Sequence, residues 1–261
     1  MNKKRTALAI GAHPDDIEFQ MAGTLLLLER SGYEIHYMNL ASGNCGSARH
    51  DAATIRRIRL RESRRAAGIL GAQFHKPLCD DLEILYELKT LRRLASIIRE
   101  VRPSVVLTHP PVDYMEDHTA TCRLVVTAVF ARGMRNFRTI PVRPAAQYDV
   151  TLYHCMPHTL RDPLRQRVLP GAFVNISTVQ SVKMEALRAH QSQQGWLDAS
   201  QKLDSYVQTM EEMARELGRM SKKFRYAEGW RRHSHAGFGE PDDDPLKVLG
   251  KDYLINTLYE R

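Results

Sequence analysis

Three short apolar runs organise the first half of the chain, and each gives way to a stretch with helical spacing. The runs are "RTALAIGA" (5–12), "EIHYMNLAS" (34–42) and "SVVLTHP" (104–110). They are apolar at successive positions and only a few residues long, as suits strands buried on both faces of a parallel sheet. Amphipathic stretches follow at 17–31, 52–70, 88–103 and 117–134. Strand–helix–strand–helix–helix–strand–helix is the order of an α/β fold with a mostly parallel central sheet. Later strands are expected at 147–155 and 171–177, and later helices at 179–194 and 205–224. With no internal repeat or low-complexity linker, residues 1–261 read as one domain. The acidic, Pro/Gly-rich segment 236–261 reads as a surface arm or a contact with another subunit.

Composition narrows the classes. At 261 residues and 43% hydrophobic, the chain has enough apolar side chains for a sizeable core. No apolar run approaches the roughly 18 residues of a membrane span. The basic N-terminus leads into an apolar stretch too short for a signal peptide, which runs straight into Asp15-Asp16. The expectation is a cytoplasmic protein that does not span a membrane. Cys45, Cys79, Cys122 and Cys155 are far apart with no CxxC, and are read as reduced, partly buried thiols. The formal charge is +8, much of it in "RRIRLRESRR" and "KKFRYAEGWRR". Glutamates interrupt these runs, so they are read as solvated helix faces, and no nucleic-acid partner is expected. An acidic or phosphorylated substrate is compatible with the surplus.

Chemistry concentrates where strands should end. The first strand runs into His13-Pro14-Asp15-Asp16, the second into Ser42-Gly43-Asn44, and the third into "THPPVDYMEDH" with His109, Asp113, Asp117 and His118. An imidazole and two carboxylates beside a buried strand are costly unless something compensates them. A metal ion would do so; so would exposure in a loop, with Asp15 or Asp16 capping a helix that begins near Ile17. Parallel topology brings these strand ends to one rim, where open sheets bind ligands. Two histidines and one carboxylate make a three-ligand site with an open position, and a second carboxylate is then free as a general base. The same set suits zinc or iron(II). Neither GxGxxG nor GxxxxGK[ST] follows the first strand, so no phosphate cradle is visible.

At these residues the chain resembles the zinc-dependent LmbE-like, or PIG-L, deacetylases, which remove acetyl from N-acetylglucosaminyl substrates. The likeness is carried by "AHPDD", "IRLRE" (58–62), "DYMEDH", "KMEALRAHQSQ" (183–193) and "YAEGW", and has no counterpart in the tail. It implies a Rossmann-like three-layer sandwich in which His13, Asp16 and His118 bind Zn2+, or Fe2+ or another divalent metal. Asp15 takes the proton from the attacking water, and Asp117 supports the ligands or starts a helix. Arg59, Tyr114 and His190 are the expected substrate contacts, the substrate being an N-acetylated sugar or related amide. One departure matters: the family's histidine three residues before the last ligand, an oxyanion or leaving-group donor, is Met115 here, and a thioether donates nothing. Tyr114, His109, His154, His158 and His190 are the candidate substitutes. A non-catalytic or weakly active metal- or sugar-binding relative is the alternative that Met115 raises, and a homo-oligomer is left open.

Overall fold

β1 (Thr6–Gly11) is buried along its whole length, and its side chains divide between two cores. Ala7 and Ala9 pack on one face of the sheet, Leu8 and Ile10 on the other. β4 (Val105–Thr108) and β5 (Thr151–Cys155) split the same way, Leu107 and Tyr153 against Val106 and Leu152. Both faces are apolar because both are covered, which is why the runs do not alternate with polar residues. The structure is a computed structural model that describes residues 5–193 and 206–259.

The sheet has eight strands, with β2 (Glu34–Asn39), β3 (Gln73–His75), β6 (Ala172–Asn175), β7 (Ala227–Arg232) and β8 (Tyr253–Ile255) completing it in the order β3-β2-β1-β4-β5-β7-β6-β8. β3 through β5 are parallel; β7 returns antiparallel to β5, and β6 and β8 add antiparallel pairs. One face carries α1 (Asp16–Gln20), α2 (Ala22–Arg30), α3 (Ala52–Leu70), α6 (Gln180–Arg188) and α7 (Tyr206–Ser221). The other carries α4 (Leu88–Val101) and α5 (Glu116–Phe130). This is the α/β three-layer arrangement the sequence order implied. The strand order reverses between β1 and β4, and a parallel sheet opens its ligand crevice at such a point.

Local chemistry sets the helix limits. Asp51 caps α3 by accepting from the Thr54 amide at 2.8 Å, and Gly71 ends it at φ 72°. Arg56, Arg57, Arg61, Arg64 and Arg65 of α3 are exposed, as read from the sequence, while Arg59 turns inward and is 2% exposed. The single helix expected over 17–31 is two, broken at Met21. The break lets α2 present its own first-turn amides: Gly23 and Thr24 donate to the two Glu228 carboxylate oxygens at 2.8 and 2.7 Å. Lys183 closes that buried site at 2.5 Å. The lysine and glutamate of "KMEAL" and "YAEGW" thus join α6 and β7 to α2.

The C-terminal segment corrects the sequence expectation. It is no free arm: Leu246 and Leu249 enter the core, Phe238 packs on Phe130, and β8 pairs with β6. Its apolar residues are spaced by prolines and aspartates, which hides them from a periodicity reading. Cys122 and Cys155 are buried, Cys79 is partly buried and Cys45 is exposed. Among the described residues no helix is long and apolar enough to cross a membrane.

Candidate active site

The turn after β1 places its charged residues by backbone bonds rather than by a cap. Asp16 Oδ2 accepts from the amides of Ala12 (3.0 Å) and His13 (2.7 Å), folding the carboxylate back over the strand end. Asp15 makes no capping bond to α1 and sits at φ 110°, left-handed for a residue with a side chain. Such backbone costs on the order of 1–3 kcal/mol and gathers at functional sites. The capped-loop explanation of Asp15-Asp16 fails on both residues.

α5 starts beyond β4 and brings in His118. One atom from each of His13, Asp16 and His118 lies within 4.8 Å of the others, the arrangement a metal ion requires. His13 Nε2 is taken by Asp117 Oδ2 at 2.9 Å, which leaves Nδ1 towards Asp16, 3.6 Å away. His118 Nδ1 is taken by Asp113 Oδ1 at 3.0 Å, which leaves Nε2 at 3.4 Å from Asp16 Oδ1. That Nε2 is buried with no hydrogen-bond partner among the described residues. An orphaned imidazole nitrogen, a carboxylate, and two histidines each oriented by a further carboxylate fit a divalent metal. His109, Asp113 and His118 form a second close set. There, His118 has spent its Nδ1 on Asp113, and His109 Nε2 lies 3.1 Å from Asp16 Oδ2.

The electrostatics show how strongly the cluster lacks compensation. Burial alone would depress both imidazoles, but Asp117 and Asp16 outweigh it and raise His13 to about 9. Asp16 and Asp113 likewise raise His118 to about 10. Burial would raise Asp16, yet His118 and His109 hold it well below the usual carboxylate range. Asp15 behaves oppositely: burial raises it to about 6 even though the Arg59 guanidinium pulls it down. Two adjacent aspartates therefore hold different charge tendencies.

A cavity of about 320 Å³ opens beside the cluster. Asp15, Arg59, Tyr114, Met115, His158 and Tyr206 are on its wall. Arg59 lies 3.4 Å from Asp15 Oδ2 and also donates to the Pro14 carbonyl. It passes beneath the 42–46 loop so closely that a Cβ on Gly43 would meet Arg59 Cδ at 2.5 Å. The Tyr206 hydroxyl donates to Asp15. A larger cavity, about 410 Å³, lies between β5, β7 and the C-terminal segment, and holds none of the clustered residues.

His190 corrects another expectation. It is 1% exposed, off the cavity wall, and its Nε2 lies 3.3 Å from Glu18, so it is no substrate contact. Its neighbours in "HQSQ" are placed differently: Ser192 donates to Glu62 of "IRLRE" through amide and hydroxyl, and Gln193 reaches the cavity. Sequence reasoning missed Tyr206 and the role of Asp113. It also missed the 80–82 loop, where Asp81 accepts from the Gly43 and Cys45 amides and the Leu82 amide donates to Asp117. The only signal was the paired aspartates of that loop.

Residues 8–129 match the family model described as PIG-L: GlcNAc-PI de-N-acetylase. The chain is 31% identical over 237 residues to the diacetylchitobiose deacetylase of Thermococcus kodakarensis, covering 88% of this chain and 84% of that one. It is 27% identical over 202 residues to the 4-oxalmesaconate hydratase of Pseudomonas putida, covering 73% and 75%. The crystal structure of 4-carboxy-2-hydroxymuconate hydratase from Pseudomonas putida KT2440 superposes with a TM-score of 0.75 at 23% identity, covering 92% of this chain and 99% of that one. A cavity that gathers the AHPDD turn, the α5 histidine and the IRLRE arginine, on a chain with these relatives, leads to one assignment: the protein belongs to the PIG-L, or LmbE-like, deacetylase family.

Proposed function

We propose that this protein is a zinc-dependent hydrolase that removes the acetyl group from the nitrogen of an amino sugar. The observation that carries the proposal is Asp15, a buried carboxylate on the cavity wall that adjoins the His13–Asp16–His118 cluster without belonging to it. A divalent metal held by those three residues would supply a Lewis acid that polarises the acyl carbonyl and lowers the pKa of water. Asp15 accepts a proton from the attacking water as the C–O bond forms. It then returns that proton to the amine as the C–N bond breaks and the electron pair settles on nitrogen. Tyr206 and Arg59 fix the Asp15 carboxylate, Asp117 and Asp113 orient the two imidazoles, and Arg59 and Tyr114 face the sugar.

A second reading has one observation behind it. Met115 stands on the cavity wall where the family carries a histidine, and a hydratase, which adds water across a double bond, expels no amine. The hydratase relative makes an unsaturated tricarboxylate the substrate to try.

One experiment separates these readings. Purified protein is assayed for bound metal by mass spectrometry, for acetate release from N-acetylglucosamine and diacetylchitobiose, and for hydration of an unsaturated tricarboxylate. Asp15→Asn should keep its metal and lose roughly 10²- to 10⁴-fold in acetate release, and His118→Ala should lose the metal. Metal-replete protein that hydrates but releases no acetate would move the assignment to the second reading. Protein that takes up no metal would end both.

A further inference from the structure

Met115 leaves open which group stabilises the developing oxyanion, and the structure narrows the candidates. His109 is fully buried, with Nε2 against Asp16 and the Ala12 amide. His154 uses both ring nitrogens, one on the His109 carbonyl at 2.8 Å and one on His233 at 2.9 Å. His190 is 1% exposed and off the cavity wall, its Nε2 3.3 Å from Glu18. Tyr114 and His158 remain, both on the cavity wall.

Position favours His158. Neither of its ring nitrogens has a hydrogen-bond partner within the described part of the chain, and the residue is only partly exposed. It belongs to a continuous aromatic collar around the cavity. Tyr206, which holds Asp15, stacks on Phe19 at 5.1 Å; Phe19 meets His158 at 5.2 Å. Tyr114 then bridges His158 at 6.0 Å and His118 at 5.7 Å. The collar therefore sets the His158 imidazole between the group that holds Asp15 and the metal-ligating histidine. The two residues that follow it, Thr159 and Leu160, are at φ 64° and 56°. Two successive side-chain-bearing residues in the left-handed region are a cost that a freely chosen loop avoids.

We propose that His158 is the oxyanion donor of this chain, its ring N–H directed at the acyl oxygen in place of the imidazole missing at 115. This rests on the deacetylase reading above. Burial lowers His158 from its ordinary value, which keeps the ring neutral. A neutral imidazole donates a hydrogen bond without giving up a proton, so the proton ledger stays with Asp15: one proton leaves water, and the same one reaches the amine. His158 is a donor to charge that develops only in the transition state.

The test compares His158→Ala and His158→Gln with Tyr114→Phe and with Met115→His in the His158→Ala background. His158→Ala should lower kcat for acetate release on the order of 100- to 1,000-fold, with KM, metal content and melting temperature little changed. Tyr114→Phe, at a side chain that faces the sugar, should act mainly on KM and lower kcat far less than His158→Ala does. Met115→His should return part of the lost rate by supplying an imidazole from the other wall. A binding readout accompanies the rates: affinity for a methylphosphonamidate of glucosamine, whose charged oxygen stands in for the oxyanion, should fall with kcat, while affinity for glucosamine stays the same. His158→Ala within about threefold of the parent kcat overturns the proposal, as does an equal loss of affinity for both ligands. A large loss in Tyr114→Phe with none in His158→Ala gives the role to the tyrosine. If the parent protein itself releases no acetate, the deacetylase reading falls and this one with it.

Discussion

Two clusters of buried charge adjoin the first two helices, and they are built to opposite ends. Glu228 is 2% exposed and Asp15 is 3% exposed, so both carboxylates are almost wholly out of water. Glu228 is complete: two amides and the Lys183 ammonium occupy its oxygens. The cluster around Asp15 is incomplete, with an imidazole nitrogen on His118 that has no hydrogen-bond partner among the described residues and a backbone strained at Asp15. Burial of charge alone therefore does not identify a site. In this molecule the closed cluster ties elements together, while the open one faces a cavity and has the residue types that could hold a metal ion.

The largest effect should come from breaking the closed cluster. Glu228→Ala leaves Lys183 uncompensated and two amides of α2 unpaired, at a cost of about 3–5 kcal/mol. Chemical denaturation of metal-free protein measures this, and a loss under about 1 kcal/mol would void the contrast. The open cluster should respond in metal affinity rather than stability. Asp113→Ala frees the His118 ring and Asp117→Ala frees the His13 ring, each weakening metal binding by roughly 10- to 100-fold, as titration calorimetry would show. Melting of the metal-free form should move little.

A third buried set, His154 with His233, gives a smaller, pH-dependent effect. Burial pulls His154 down to about 4, against about 6.5 in an unfolded chain. Between those values the unfolded chain binds more protons, so stability is full above about pH 6.5 and is lost as pH falls towards 4. The expected loss by pH 5.5 is about 1 kcal/mol, and His154→Gln should flatten that slope. The smallest effect is at Leu82, which is 73% exposed at φ 63°. Leu82→Gly removes the left-handed strain at the expense of chain entropy, so stability should stay level or rise by less than about 1 kcal/mol. A larger loss would mean that its side chain supports the cavity.

The parallel half was legible because its strands are buried on both faces, and an unbroken apolar run such as "TALAIG" leaves few alternatives. β3 and β8 were not, since three residues carry no period. Nor was the insertion of β7 between β5 and β6, because pairing partners far apart in sequence leave no local trace. At the site, His13, Asp16 and His118 are brought together as the motifs suggested. Asp113 and Asp117 take up the second nitrogens of those histidines, a division no spacing could show. Tyr206 reaches Asp15 from a helix whose pattern is that of ordinary amphipathic packing. His190 misled for a physical reason: a motif histidine can sit behind the site it serves, against Glu18, as easily as within it.

The order of strands also bears on how the protein is made. β6 is synthesised before both of its sheet neighbours, β7 and β8. Glu228, which completes the start of α2, leaves the ribosome 205 residues after Gly23. At ordinary elongation rates that delay is on the order of 10–40 s. Throughout it α2 has open amides, and in its last part, once β5 and β6 have been made, the nascent chain also carries an unpaired β5 edge and an apolar β6 with nothing to join. A chain of this design should depend on chaperones that shield strand edges until β7 emerges, and premature termination before residue 227 should yield an aggregating fragment rather than a smaller working enzyme.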